Sequence, residues 1–297
     1  MLDATHSDAE TMALLVSYFI AKTAQDPDAS LAFFAPDALT YSDAPLGWAV
    51  DGKPAIHSSF ASVMPSWGEA RSYPTAVLGS LTDGSGSLVV RFTNTPGIVG
   101  DNLLHVMAAV DVRDSRFVRW VDYWDTSELA EAFRDQVRAS EDSFPTSHHE
   151  DELLRAEHGA VGEVAAALHQ ALAKGEAGRA AALFDADATF TDLALRTHLL
   201  GGEAIGTYVQ RSLDLLPFGR GAGLRHVLGS GAVGGYEWLG APGARVPVGI
   251  TSLVLTDEGL IGEATTVYDG RELSPPGRDS LIAAATTPWG RRTPRSR

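Results

Sequence analysis

The sequence contains no cysteine, which excludes disulfides, thiolate nucleophiles and thiolate metal sites and fits a cytoplasmic protein. Positive charge is also scarce: 23 Lys+Arg against 38 Asp+Glu leave a net charge of −15. A nucleic-acid binder needs a basic surface to release counterions, and an anionic membrane face attracts polybasic segments. Neither is therefore expected as a partner. Long apolar runs are missing too. The first ten residues are polar and acidic, and the apolar run over 13–21 is interrupted by Ser17. It is too short to span a bilayer, and no secretory leader is expected. The chain has no G-x-x-x-x-G-K-[ST] loop, no G-x-G-x-x-G at a strand–helix junction and no G-x-S-x-G elbow, which removes the common phosphate-cradling and serine-nucleophile motifs.

What is present is a repeat. Ser30 to Pro65 (SLAFFAPDALTYSDAPLGWAVDGKPAIHSSF…VMP) recurs as Arg179 to Pro217 (RAAALFDADATFTDLALRTHLLGGEAIGTYV…LLP). Phe34 matches Phe184, Asp37 matches Asp187, Asp43 matches Asp192, and Ala55-Ile56 matches Ala204-Ile205. Val77-Leu-Gly-Ser80 returns as Val227-Leu-Gly-Ser230, and Asp122-Tyr-Trp-Asp125 faces Thr266-Val-Tyr-Asp269. Four blocks in the same order, at offsets between 150 (Phe34 to Phe184) and 144 (Asp122 to Thr266), mark a duplication. Two copies are too few for a solenoid.

Helical spacing of apolar residues predicts helices over 9–24, 28–34 and 54–64, and again over 153–173, 177–184 and 203–215. Alternation and turn residues predict strand pairs 75–81/88–94, 103–112/117–124 and 248–255/260–268. The expected fold class is α+β: two tandem cone-shaped barrels, each of three helices on a curved antiparallel sheet with one open mouth. Such a mouth is a natural pocket. Expected boundaries are a first domain over 1–140, an acidic linker over 141–152, a second domain over 153–275 and a tail over 276–297, whose basic end at 289–297 reads as disordered. His148, His149 and Glu150 read as a solvated linker rather than a metal cluster, because adjacent residues rarely aim at one ion.

The element order resembles the nuclear-transport-factor-2-like superfamily, in its SnoaL-like and steroid delta-isomerase-like branches. The motifs that carry the likeness are F-A-P-D-A-x-x-x-x-D-x-P over 34–45 and G-K-P-A-I over 52–56. That resemblance implies a proton-shuttling base at Asp43, repeated as Asp192, and an oxyanion donor at Tyr18. The protonated strand acid of the isomerases has no match; His105 or Met107 stands near its place. Val118-Arg-Trp-Val-Asp-Tyr-Trp-Asp125 is similar to a strand of limonene-epoxide hydrolase-like proteins. It implies a role for Asp122 with Arg91, although Thr93 replaces the third member of that set. Polyether epoxide hydrolases with two such cones resemble the chain in architecture and imply Glu69 as a partner of Asp43. The second copy has no acid there, reading Pro217-Phe-Gly-Arg-Gly221.

A carboxylate in an apolar cone has a raised proton affinity, and two neighbouring carboxylates divide into a base and an acid. The expected activity is cofactor-free acid–base chemistry, with no metal, on an apolar, polyketide-like intermediate. Epoxide opening or ring closure leads. Asp43 would be base, Glu69 or Asp122 acid partner, and Tyr18 and Arg91 oxyanion stabilisers. The alternatives are a proton-abstracting isomerase or cyclase, and a non-catalytic small-molecule binder whose second cone is a scaffold. Trp48, Trp67, Trp120, Trp124 and His105 are the expected substrate contacts. Pairing of the two domains within the chain, with or without further self-association, is the expected assembly. Each acid also has a plainer reading. Asp43 suits a turn before Pro45, Glu69 a solvated loop, Tyr18 the core of its helix, and Arg91 a structural ion pair. In the second copy His198, His226, Glu237 and Glu263 read as a dispersed, satisfied surface set. His169 lies beside Leu168, which takes the Tyr18 position.

Overall fold

The computed structural model describes residues 2–153 and 157–286, so the basic end at 289–297 lies outside the described residues. The first helix, α1 (Ala9–Thr23), starts where Asp8 accepts a hydrogen bond from the Thr11 amide at 2.8 Å, an N-cap that satisfies one of the four orphan donors. Its buried face runs Met12, Leu15, Tyr18, Phe19, Lys22, a stripe at helical period. The short α2 (Pro27–Leu31) is capped by Asp26 with Pro in its first turn. Then follow β1 (Thr40–Asp43), β2 (Trp48–Asp51), α3 (Lys53–Val63), β3 (Ser72–Leu78), β4 (Gly86–Asn94), β5 (Leu104–Arg113), β6 (Arg116–Tyr123) and α4 (Glu131–Val137). The second half repeats the order as α5 (Ala160–Lys174), α6 (Ala177–Ala181), β7 (Phe184–Asp192), β8 (Thr197–Leu200), α7 (Gly202–Ser212), β9 (Gly223–Ser230), β10 (Val233–Leu239), β11 (Val248–Leu255), β12 (Ile261–Tyr268) and α8 (Pro275–Ala285).

Two sheets of six strands result, ordered β2-β1-β6-β5-β4-β3 and β8-β7-β12-β11-β10-β9. Each is a meander to which the early hairpin is added. The joining pairs β1/β6 and β7/β12 run parallel, so the sheets are mixed rather than wholly antiparallel. Phe184 starts β7 instead of ending a helix, and α5 starts at Ala160, seven residues later than its spacing predicts. The segment from 276, expected as tail, instead continues α8, which buries Leu281 in the second half.

Both faces of each sheet are covered. Leu88, Val90 and Phe92 point into the first cone, while Val89 joins Met107, Ala109, Val121 and Tyr123 against Leu228, Ile250 and Val267 of the second half. Burial on two faces is why the middle of β4 reads Leu88-Val89-Val90 without polar alternation. The sequence repeats meet their own copies at this junction. Asp125 accepts from the Gly270 amide at 2.9 Å and Asp269 from the Thr126 amide at 3.2 Å. The Ser80 amide donates to Ser230 Oγ at 2.9 Å. A Cβ on Gly79 would lie 3.0 Å from the Gly229 Cα, so the close approach of the two Val-Leu-Gly-Ser segments requires glycine.

Much of the linker is exposed, but His148 anchors its end to the folded halves. His148 is 2% exposed and its carbonyl accepts from Arg119 Nε at 2.7 Å. His149 pairs with Glu152 and Asp51, and Glu150 with Arg225. Glu237, Glu263 and His226 are likewise no dispersed surface set. Glu237 is fully buried and clasps Arg119 through two contacts of 2.8 Å, Glu263 holds Arg91, and His226 holds Asp111. All three pairs tie one half to the other. Among the described residues no group of three or more His, Asp or Glu is arranged to hold a metal ion. No helix among them is long and apolar enough to cross a membrane.

Candidate active site

The first cone encloses a cavity of about 190 Å³. Its walls are mostly apolar, with Trp48, Phe60, Trp67, Ile98, Val99 and Leu104 among them, and Phe133 and Val137 of α4 contribute to them as well. Six polar side chains line it: Lys22, Tyr41, Asp43, Ser59, Asn94 and Asp122.

Asp43 ends β1 and lies directly across the parallel pair from Asp122 on β6. Alternation along β6 puts Trp120, Asp122 and Trp124 on the cone side and Val121 and Tyr123 on the far side. The two tryptophans then fix the two acids. The Trp124 indole N–H donates to Asp43 Oδ2 at 2.9 Å, and the Trp120 indole N–H to Asp122 Oδ1 at 2.6 Å. The Leu46 amide donates to Asp43 Oδ1 at 3.0 Å, which is the turn role the spot before Pro45 suggests. That role and a place in the cavity coexist. Tyr41 OH donates to Asp122 Oδ2 at 2.9 Å, and Lys22 Nζ donates to the Tyr41 oxygen at 3.3 Å.

Burial pushes the Asp43 carboxyl up to about 7, and the neighbouring Asp122 charge adds to that, against the donors Trp124 and Leu46. Burial also raises Asp122, opposed by Lys22, Trp120 and Tyr41. Two adjacent carboxyls titrate as a pair. Asp122, with a cation and two side-chain donors beside it, takes the negative charge first, and Asp43 keeps a proton to near neutrality.

The other expected site residues are elsewhere. Tyr18 is fully buried behind the cavity, edge-on to Phe34 and Phe117 and tilted against Trp120, and its hydroxyl has no hydrogen-bond partner among the described residues. The residue of α1 that reaches the cavity is Lys22, one turn further on. Glu69 is exposed in a turn and does not line the cavity. Arg91 faces away from the cone because Val90 and Phe92 face into it, and it bonds Glu263 and Ser252 Oγ, each at 2.6 Å. The same alternation puts Leu104 and Val106 on the cavity wall, so His105 is exposed on the outer face near Thr93 and Met107 is in the junction between halves. Trp120 is a buried support rather than a wall, whereas Trp48, Trp67 and Trp124 line the cavity.

Lys22, Tyr41 and Asn94 were not anticipated. A lysine inside the apolar stripe of α1 was a usable signal, and Tyr41 shares the face of Asp43 two residues earlier on β1. Nothing local marks Asn94, whose carbonyl oxygen is buried without a partner.

The second cone keeps only one of these groups. Its parallel pair sets Asp192 across from Thr266, so a threonine replaces the second acid. At the repeat offset Leu172 stands for Lys22 and Phe190 for Tyr41. Asp192 accepts from the Leu195 amide at 2.9 Å and from Tyr268 OH at 3.1 Å, and burial pushes it up to about 7. The folded state therefore holds a proton that the unfolded chain, near 3.8, would release. The stability this contributes is complete below about pH 4 and is lost as pH rises through about 7. Asp192→Asn is expected to stabilise the protein at pH 8 by on the order of 3 kcal/mol relative to its effect at pH 5. Urea unfolding at the two pH values measures this, and an equal effect at both contradicts it.

No family model matches the chain, and no curated protein matches it. Solved structures do. An uncharacterised cystatin-fold protein from Novosphingobium aromaticivorans is 18% identical over 38% of this chain and 96% of its own, with a TM-score of 0.32. A protein with a ketosteroid isomerase-like fold from Catenulispora acidiphila, in complex with trimethylamine, is 16% identical over 39% and 88%, with a TM-score of 0.33. A polyketide cyclase candidate from Sinorhizobium meliloti is 22% identical over 38% and 97%, with a TM-score of 0.31.

Proposed function

We propose that the first cone is a cofactor-free acid–base active site that moves a proton on an apolar carbonyl compound, as an isomerase or cyclase does. The observation that carries this reading is the pairing of Asp43 and Asp122 in a buried cavity, one poised to ionise near neutral pH. Asp43 is the proton carrier, since a base works best with a pKa close to the working pH. Asp122 is the fixed negative partner, saturated by Trp120 and Tyr41. Apolar walls select an apolar substrate. Epoxide opening is the less favoured chemistry here, because Glu69 and Arg91 lie outside the cavity.

The test is a panel of cyclic ketones, enones and epoxides incubated with the protein in D2O and followed by proton NMR. Solvent deuterium entering next to a carbonyl supports the proposal. Epoxide opening without such exchange, or tight saturable binding with no turnover, overturns it.

Trp124 has a positioning role with its own signature. Its N–H stabilises the ionised form of Asp43. A hydrogen bond to a charged group contributes about 1.5–3 kcal/mol, so Trp124→Phe is expected to move the rising limb of the kcat/KM profile alkaline by about one unit or more. A profile of unchanged midpoint and lower plateau would show that Trp124 only packs.

A further inference from the structure

We infer that Lys22 is an amine nucleophile, whose Nζ condenses with the aldehyde or ketone carbonyl of an apolar substrate to form an imine inside the first cone. This rests on reading the cavity as a site for carbonyl chemistry.

An ammonium has three N–H donors to satisfy. Lys22 is 3% exposed, and its one hydrogen-bond partner among the described residues is the Tyr41 oxygen at 3.3 Å. Asp122 and Asp43 lie close enough to favour its charged form, and its other neighbours are rings: Phe92 at 5.1 Å, with Phe19, Tyr41 and Tyr18 at 5.8–5.9 Å. These rings soften the charge but accept no proton firmly, and burial lowers the proton affinity of Nζ. Hydrogen-bond direction adds to this. The single proton of Tyr41 is committed to Asp122, so the Tyr41 oxygen can only accept from Lys22. Once Lys22 has lost a proton, its lone pair is free for an electrophile in the cavity that it lines.

A direct proton abstraction needs a donor at the developing enolate oxygen. Tyr18 is sealed behind the cavity, and the strand facing the acids presents Leu104 and Val106. The Tyr41 proton is committed to Asp122, which leaves Ser59, Asn94 and the protonated Asp43 as the donors on the lining. An iminium supplies an electron sink within the substrate itself and relieves these groups of that task.

The steps balance. Nζ adds to the carbonyl carbon, a C–N bond forms, and the carbonyl π pair moves to oxygen, which takes a proton as nitrogen loses one. Water then leaves. The C–O bond breaks with its pair going to oxygen, Asp43 supplies the second proton, and the nitrogen lone pair closes the C=N bond. Amine, carbonyl and the Asp43 proton give an iminium, water and the Asp43 carboxylate, with no oxidant or reductant. Removal of the adjacent C–H proton by the Asp43 carboxylate gives an enamine, and hydrolysis returns the amine.

The chain has three lysines, Lys22, Lys53 and Lys174, so trapping is easily read. The full-length protein is mixed with phenylacetaldehyde and sodium cyanoborohydride at pH 7, and the reduced adducts are located by peptide mass spectrometry. Lys22 is expected to be modified at least roughly tenfold faster than Lys53 or Lys174, because the cavity holds the aldehyde carbonyl beside its Nζ. Modification of Lys53 and Lys174 with Lys22 untouched overturns the proposal. Lys22→Met and Lys22→Arg are expected to be equally inactive in ketone exchange, and recovery by arginine would mean that charge alone is used. If exchange survives in Lys22→Met, the imine falls and the acid–base reading stands. If Lys22 is trapped but the wild type exchanges no ketone, the acid–base reading falls and the imine stands.

Discussion

Asp43→Asn is expected to lower turnover roughly 10²–10⁴-fold, the range that a positioned general base contributes, while leaving the fold in place. The amide is close in shape, and its oxygen can still accept from the Leu46 amide at 3.0 Å. It removes a buried group whose ionised form is disfavoured by burial and by the Asp122 charge, so stability at pH 8 is expected to rise as activity collapses. The two effects have one origin. The site holds a carboxyl near neutrality by burying it, and that burial costs stability when the carboxyl ionises. Steady-state kinetics and urea unfolding on the same preparation measure both. A variant that keeps more than about half of wild-type kcat, far short of the expected loss, shows that another group carries the proton.

The second large effect concerns how the halves are held together. Arg119→Met is expected to destabilise the protein by about 3–5 kcal/mol, because it leaves Glu237 charged and buried without its cation. Arg119 and Glu237 are both fully buried, joined by two contacts of 2.8 Å, with Tyr123 OH donating to the same carboxylate at 2.6 Å. The arginine beside Glu237 holds its carboxyl down at about 2 despite burial. Its contribution to stability is therefore present above about pH 4.5 and is lost as pH falls through about 2. Replacing both partners, as Arg119→Met with Glu237→Leu, is expected to recover much of the loss, since a matched apolar pair avoids the desolvation that an ion pair must overcome. Chemical denaturation of the single and double variants completes the cycle. A single variant that costs less than about 1 kcal/mol, the range of an exposed pair, contradicts this account.

The duplication and the cone were legible because period and repeat are local signals. Helical spacing located α1 and α3, and the repeated Val-Leu-Gly-Ser blocks proved to be the segments that touch across the junction. Asp43 and Asp122 were legible for different reasons, the first through its motif and the second through the alternation that puts it beside Trp120 and Trp124. The same alternation argued against Arg91 and His105 as cavity residues. Val90 and Phe92 flank Arg91, and Leu104 and Val106 flank His105, so both point outward. Motif likeness located them near the site without deciding their face. Lys22 escaped notice because a lysine is usually solvent-facing, although its place in the stripe of α1 indicated otherwise. The ion pairs Arg119–Glu237 and Arg91–Glu263 join residues more than a hundred positions apart, and only packing of the two halves brings them together.

The two cones have diverged at the acid pair and its supports. Asp122 faces Asp43, whereas Thr266 faces Asp192, and Leu172 and Phe190 stand where Lys22 and Tyr41 do. The second cone then contributes the partner surface that covers the first sheet. The most direct measurement is solvent-deuterium exchange of a ketone substrate by the wild type, Asp43→Asn and Asp192→Asn side by side. Exchange lost in Asp43→Asn and retained in Asp192→Asn is the predicted result. Exchange lost in Asp192→Asn and retained in Asp43→Asn would move the active site to the other cone and contradict the account.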